Sequence, residues 1–107
     1  MRSLVYDKLY IGGQWQSPCT GQRLPVISPH TEDPIGEAPE AAPGDVDKAV
    51  AAARTAFDNG PWPRLTPLER MEKIEKLAAV YSGHTDEMAD LITAEMGSPR
   101  RDRKSVV

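Results

Sequence analysis

The 107-residue sequence is poor in the side chains that build hydrophobic cores and metal sites. It contains one Cys, one Phe and two His, and aromatic residues make up 6% of the chain. A single Cys excludes an internal disulfide, and one Cys with two His cannot supply a four-ligand zinc site. A domain of this length buries only about 60–65% of the surface that its unfolded chain exposes. We therefore expect one small, loop-rich domain with a thin core.

Long hydrophobic runs are also missing from the sequence. The apolar stretch at 49–53 has five residues, far fewer than the roughly 20 that a membrane-spanning helix needs. The first residues carry a charge but no apolar segment of the secretory kind. From these two absences we expect a cytoplasmic protein with no membrane partner.

Charge is distributed unevenly along the chain. The 13 basic and 16 acidic side chains give a net charge of −3, yet residues 100–107 alone carry a local charge of +3. The remaining acidic body is expected to repel phosphate, so we predict no nucleic-acid partner. A phosphate-binding patch and a targeting signal are alternative interpretations of residues 100–107, but a solvated, disordered tail is favoured.

Residues 8–38 have the pattern of short strands and turns. The pair Gly12-Gly13 separates two β-prone runs, at 8–11 and 14–16, and predicts a two-residue hairpin. A strand at 23–27 is expected at a sheet edge, because Pro25 has no backbone N–H to donate. Residues 35–38 are expected to form a further short strand.

Three amphipathic helices are predicted after this region, at about 43–58, 67–82 and 85–96. The first has an apolar stripe that ends at Phe57, although Ala42 before it is a poor N-cap. The second begins with Thr66-Pro67-Leu68-Glu69, a capping box with Pro at the first helical position. The third is expected to begin with Thr85 as its N-cap and to end at Gly97.

No residue of this chain is predicted to be catalytic, to bind a cofactor or to ligate a metal. Cys19 lies in a Pro/Gly loop with no adjacent His, so an unreactive thiol is favoured over a nucleophile. His30 in a turn and His84 near a helix start are expected to be exposed and structural. Gly12-Gly13 matches neither the dinucleotide fingerprint nor the phosphate-loop motif.

Six sequence blocks nevertheless resemble the N-terminal segment of the aldehyde dehydrogenase superfamily. The first three, at 10–15, 26–31 and 35–41, read YIGGQW, VISPHT and IGEAPEA. The next is a helix at 45–57, DVDKAVAAARTAF, followed by Trp62 with the block PLER at 67–70. The last is EMGSP at 95–99, similar to the family's E-x-G-K-P. The departures are Ser28 for the usual Asn, Ala42 for the usual Thr cap and Ser98 for Lys.

The resemblance implies a segment of an NAD(P)-dependent oxidoreductase that converts aldehydes into carboxylic acids. In that family a Cys attacks the aldehyde, hydride passes to the nicotinamide, and a Glu base activates the water that releases the acid. These residues and the cofactor-binding sheet lie downstream of the glycine-proline block, so the resemblance places none of them in this chain. Cys19 matches no catalytic position, and we expect NAD or NADP to bind the intact family member but not this chain alone.

The resulting expectation is an α/β fragment in which a β-hairpin and short strands precede three helices. Residues 1–5 are taken as an N-terminal tail, 6–99 as the leading part of an aldehyde-dehydrogenase cofactor-binding domain, and 100–107 as the basic tail. One hypothesis is an N-terminal enzyme fragment that is inactive alone. The alternative is a non-catalytic assembly module that pairs with a separate chain carrying the rest of the enzyme, or with a family oligomer.

Overall fold

The computed structural model describes residues 4–99 of the chain. Five short strands come first: β1 (Leu4–Val5), β2 (Leu9–Ile11), β3 (Gln14–Gln16), β4 (Arg23–Ile27) and β5 (Pro34–Pro39). Helices α1 (Pro43–Asn59), α2 (Pro67–Ser82) and α3 (Thr85–Met96) follow, with a short 3-10 turn at Trp62–Arg64. The predicted α/β fragment with a hairpin, short strands and three helices is confirmed. The basic tail at 100–107 lies outside the described residues.

The chain divides into two compact units. The first comprises the residues up to 26 together with 34–64, and the second comprises 27–33 together with the residues from 65 onward. The strands and α1 therefore belong to the first unit, except for the last residue of β4, and α2 and α3 belong to the second.

Strands β2 and β3 form the predicted hairpin in the first unit. They pair antiparallel with Tyr10 opposite Trp15, and the two rings lie 5.1 Å apart between their centroids. The turn residues Gly12 and Gly13 have φ angles of 62° and 80°. A two-residue turn of this type needs positive φ at both positions, which glycine adopts without steric cost.

The other three strands form a sheet in the order β1-β5-β4. β4 lies at the edge, as the missing N–H of Pro25 predicts. Residues 1–5 were expected to form an N-terminal tail, but Leu4 and Val5 pair in parallel with Gly36 and Glu37 of β5. A two-residue strand paired with a segment more than 30 residues away along the chain has too little local signal to be found by sequence pattern.

Helix α1 is stabilised at its C-terminal end by the residues that follow it. Gly60 donates its N–H to the carbonyl of Ala56. Arg64, in the 3-10 turn, donates from its guanidinium to the carbonyls of Gly60 and Asp58. The last carbonyls of the helix thus have partners supplied from within a few residues, as helix ends require.

The capping box predicted for α2 is present in the second unit. Thr66 donates its N–H to the Glu69 carboxylate at 2.7 Å, and its hydroxyl accepts the Glu69 N–H at 3.2 Å. The predicted N-cap of α3 is wrong, because His84 occupies that position and Thr85 is the first helical residue. The Thr85 hydroxyl donates to the carbonyl of Ser82, in the turn before the helix.

The loop at 28–33 is built around the buried Ser28. Its hydroxyl accepts the N–H groups of His30 and Thr31, and its N–H donates to the carbonyl of Asp33. A serine hydroxyl that accepts backbone N–H groups two or three residues ahead imitates a turn. This loop lies beside the C-terminal end of α3, where a Cβ on Gly97 would stand 3.1 Å from Cγ of Pro29.

Large apolar side chains remain exposed on all three helices. Within residues 4–99, Ala89 is the one buried apolar side chain, at 7% exposure. Leu77 of α2 is 62% exposed and Phe57 of α1 is 66% exposed. Other exposed apolar side chains on these faces are Val46, Val50, Leu68, Met71, Ile74, Val80 and Met96. The thin core expected from composition is present, and the apolar stripes of α1 and α2 have little to pack against in their own units.

We predict that the isolated 107-residue chain unfolds with a broad thermal transition and shows weak dispersion of its proton chemical shifts. The reason is that packing of an apolar face, rather than propensity, supplies most of the stability of a helix. Calorimetry and a proton–nitrogen correlation spectrum measure both properties. A sharp, cooperative unfolding transition of the purified chain would contradict this expectation.

We predict that Gly97→Ala loosens the end of α3. Gly97 has φ of 75°, which costs an L-residue about 1–2 kcal/mol, so amide exchange in α3 should accelerate by about 5–30-fold. Hydrogen exchange read by mass spectrometry on peptides from α3 measures the effect. Gly83→Ala is the matched control, because Gly83 has φ of −74° and its new Cβ meets only an ordinary contact with Val80. Equal exchange rates in the two variants would contradict the assignment.

Candidate functional site

The Asp45 carboxylate is the most buried charged group in the described part of the chain. Asp45, in the first turn of α1, is 2% exposed. Its carboxylate oxygens accept the N–H of Cys19 at 3.0 and 3.1 Å, and one of them accepts the N–H of Ala42 at 2.9 Å. The group therefore ties the loop around Cys19 to the start of α1.

The local sequence explains why Asp45 takes this position. Ala42 precedes α1 and has no side-chain oxygen that could cap the helix. The Asp45 carboxylate, three positions later, accepts the Ala42 N–H, as the acidic residue of a capping box does. A carboxylate at a helix N-terminus also interacts favourably with the helix dipole. These hydrogen bonds, first from Ala42 and then from Cys19, hold the pKa of Asp45 below the usual carboxyl range.

The same carboxylate makes Cys19 a poor nucleophile. The hydrogen bond to the Asp45 side chain is the largest cause that raises the pKa of the Cys19 thiol, and burial and the negative charge add to it. The Lys48 ammonium, 3.9 Å from the sulfur, acts in the opposite direction but does not reverse the shift. Since the thiolate is the reactive form, a raised pKa disfavours reactivity of this thiol, and its lack of reactivity stays a prediction.

Cys19 also lies in the wall of an open, polar cavity of about 360 Å³ in the first unit. The other walls come from the loop at 17–22, Asp7, Arg23 and Pro39. Arg23 is 3.7 Å from the Glu37 carboxylate, so its charge has a partner outside the loop. None of the residues that line this cavity is buried, and its shape alone assigns no ligand.

The two histidines are placed as the sequence predicts, in exposed positions. His30 lies in the turn of the Ser28 loop, and its backbone N–H serves that loop. His84 caps α3 with its backbone, and its Nδ1 is 3.0 Å from the Glu87 carboxylate. Both histidines belong to the second unit, whereas Cys19 belongs to the first.

Residues 4–99 contain neither a metal-binding cluster nor a membrane-spanning helix. No group of three or more His, Cys, Asp and Glu side chains there is arranged to hold a metal ion. None of the described helices has the length and apolar content to cross a bilayer.

Comparison with known proteins shows which family this chain belongs to. The sequence profile of the aldehyde dehydrogenase family matches residues 15–107. Since the match covers most of the sequence, the chain belongs to the aldehyde dehydrogenase family, which confirms the resemblance carried by the six blocks.

Individual relatives agree with this assignment. The chain is 38% identical over 97 residues to "Benzaldehyde dehydrogenase, mitochondrial" of Antirrhinum majus, covering 91% of this chain and 18% of the relative. It is 44% identical over 94 residues to "Aminoaldehyde dehydrogenase 2" of Zea mays, covering 85% and 19%. The crystal structure of a Mycobacterium tuberculosis aldehyde dehydrogenase complexed with NAD+ superposes with a TM-score of 0.88 at 44% identity, covering 94% of this chain and 21% of that one.

The chain thus spans about one fifth of the length of the relatives that it matches. It corresponds to the N-terminal segment of an aldehyde dehydrogenase, a family whose intact members oxidise aldehydes. The high TM-score means that this segment has nearly the same backbone conformation here as within a whole enzyme.

We predict that protonating Asp45 releases the Cys19 loop. Because the folded-state pKa lies below the unfolded value, the stabilisation is complete above about pH 4 and is lost as the pH falls through the folded pKa. Cys19 is the only cysteine in the sequence, so selective ¹⁵N-cysteine labelling reports its amide in a single resonance. In an acid titration from about pH 6 to about pH 2, that resonance should keep its position down to about pH 4 and move below it.

Two variants test the assignment of this titration. In Asp45→Asn the acid step of the Cys19 amide should disappear, because the acceptor no longer ionises. In Asp47→Asn, which removes a neighbouring exposed carboxylate of the same helix, the step should persist. An unchanged step in Asp45→Asn would show that another group controls the loop.

Proposed function

We propose that this chain forms the N-terminal part of the cofactor-binding domain of an NAD(P)-dependent aldehyde dehydrogenase and is inactive without the rest of that enzyme. The observation that carries the proposal is the exposure of the apolar faces of α1 and α2 in a chain whose backbone matches a whole enzyme with a TM-score of 0.88. Faces of this kind are normally buried in a complete domain. The missing four fifths of the relatives' length is the natural source of the cover.

The helix N-termini of the described chain are unfavourable for binding the phosphates of a dinucleotide. A helix N-terminus binds phosphate through its free N–H groups and its dipole. All three helices of this chain carry acidic side chains in the first turn, namely Asp45 in α1, Glu69 in α2, and Asp86 and Glu87 in α3. Asp45 and Glu69 already accept backbone N–H groups at those ends. NAD, which accepts hydride in the intact family, is therefore assigned to the part of the enzyme outside this chain.

The raised pKa of the Cys19 thiol supports the same proposal. Cys19 is the one thiol, and the hydrogen bond to Asp45 keeps its pKa raised. An aldehyde needs an activated nucleophile for covalent oxidation in this family, and activation of a thiol requires a lowered pKa or an adjacent base. The role proposed for the chain is thus structural within the enzyme.

The remainder of the enzyme is either continuous with this segment or a separate chain. In the assembly-module hypothesis the same exposed faces are covered, but by a separate chain that carries the remainder of the enzyme.

The cytoplasmic location expected from the sequence stays a prediction, and two of the similar proteins carry "mitochondrial" in their names.

We predict that the purified 107-residue chain does not oxidise aldehydes above background. The assay follows absorbance of the reduced nicotinamide with aliphatic, aromatic and amino-substituted aldehydes, each with NAD and with NADP. The same chain, co-expressed with a polypeptide that carries the unmatched part of the Mycobacterium tuberculosis enzyme, is expected to co-purify with it and restore turnover. Activity of the 107-residue chain alone would overturn the proposal.

A further inference from the structure

An apolar groove runs along α1 beside the β2–β3 hairpin in the first unit. It has a volume of about 440 Å³ and is lined by the side chains of Leu9, Tyr10, Ile11, Val46, Ala49, Val50 and Ala53. A second depression of about 280 Å³ continues it toward Ala52 and Ala56. The floor is made of alanines and the rim of larger side chains, with Tyr10 and Val50 both more than 60% exposed.

The lining of the groove is effectively uncharged. Asp45 is the one ionisable acid among its lining residues, and its carboxylate is occupied by the N–H groups of Cys19 and Ala42. The charged side chains of α1 belong to other faces, where Arg54 pairs with Asp58 at 2.9 Å. Depletion of charge around exposed aliphatic and aromatic side chains is the composition of the buried centre of a protein interface.

We infer that this groove is the principal docking site for the polypeptide that completes the enzyme, which inserts large apolar side chains between Tyr10 and Val50. This inference rests on the proposed function and specifies its contact surface. The occupant is argued from length, since about four fifths of the Mycobacterium tuberculosis enzyme has no counterpart in this chain. The occupant is argued also from the shape of the groove. The alanines of the floor let a second backbone approach α1 closely, and the larger side chains of the rim enclose the side chains of that second polypeptide.

The test compares two identical substitutions on opposite faces of α1. Ala53→Arg places a long cation over the groove floor, whereas Ala51→Arg places the same side chain on the opposite side of the helix. Arginine and alanine both favour helices, and both positions are exposed, so far-UV circular dichroism of the isolated variants should match the parent chain. The probe is the co-expressed polypeptide with the unmatched part of the Mycobacterium tuberculosis enzyme.

The expected result is that Ala53→Arg weakens association with this polypeptide by about 10-fold or more. Ala51→Arg should leave it within about 2-fold of the parent chain. The matching segment of the Mycobacterium tuberculosis enzyme itself serves as the positive control for a competent probe. If that control binds and the parent chain does not, the proposed function fails.

Two further outcomes overturn the groove assignment and leave the proposed function standing. If the parent chain binds and Ala53→Arg binds equally well, the groove is not the principal contact. If light scattering shows a dimer of the 107-residue chain that Ala53→Arg dissociates, a second copy occupies the groove instead.

Discussion

Helices α1 and α2 carry more apolar surface than the described chain can cover, and the stability and the proposed role of the segment both depend on this constraint. An amphipathic helix gains its stability by burying its apolar face against another element. Here the strands are two to six residues long and Ala89 is the one buried apolar side chain in residues 4–99. The segment has the fold of its family, and we expect its stability to depend on burial of these apolar faces.

The interactions that the described residues do complete are mostly local. The hairpin closes over two glycines, Thr66 and Glu69 cap each other across three residues, and Arg64 binds the end of the helix just before it. Contacts between near neighbours in sequence cost little chain entropy to form. Local contacts of this kind hold the turns and helix ends of a backbone that matches a whole enzyme with a TM-score of 0.88.

The difference between local and long-range contacts also sets how much of the structure could be predicted from the sequence. Local signals located the hairpin, the edge strand at Pro25, the capping box of α2 and the end of α3 at Gly97. The N-cap of α3 was assigned wrongly by one residue, since His84 occupies that position and Thr85 is already helical. The contact between Asp45 and Cys19 spans 26 residues and could not be found by pattern. One clue was available, since a helix that begins after Ala42 needs an acceptor from elsewhere.

Two departures from the family pattern lie where side-chain oxygens accept backbone N–H groups. Ser28 stands for the usual Asn, and its hydroxyl accepts the two N–H groups that hold its turn. Ala42 stands for the usual Thr cap, and the Asp45 carboxylate accepts the N–H at that position while also holding Cys19. Loss of the Asp45 carboxylate would therefore release two segments at once: the loop at Cys19 and, 26 residues further along the chain, the start of α1.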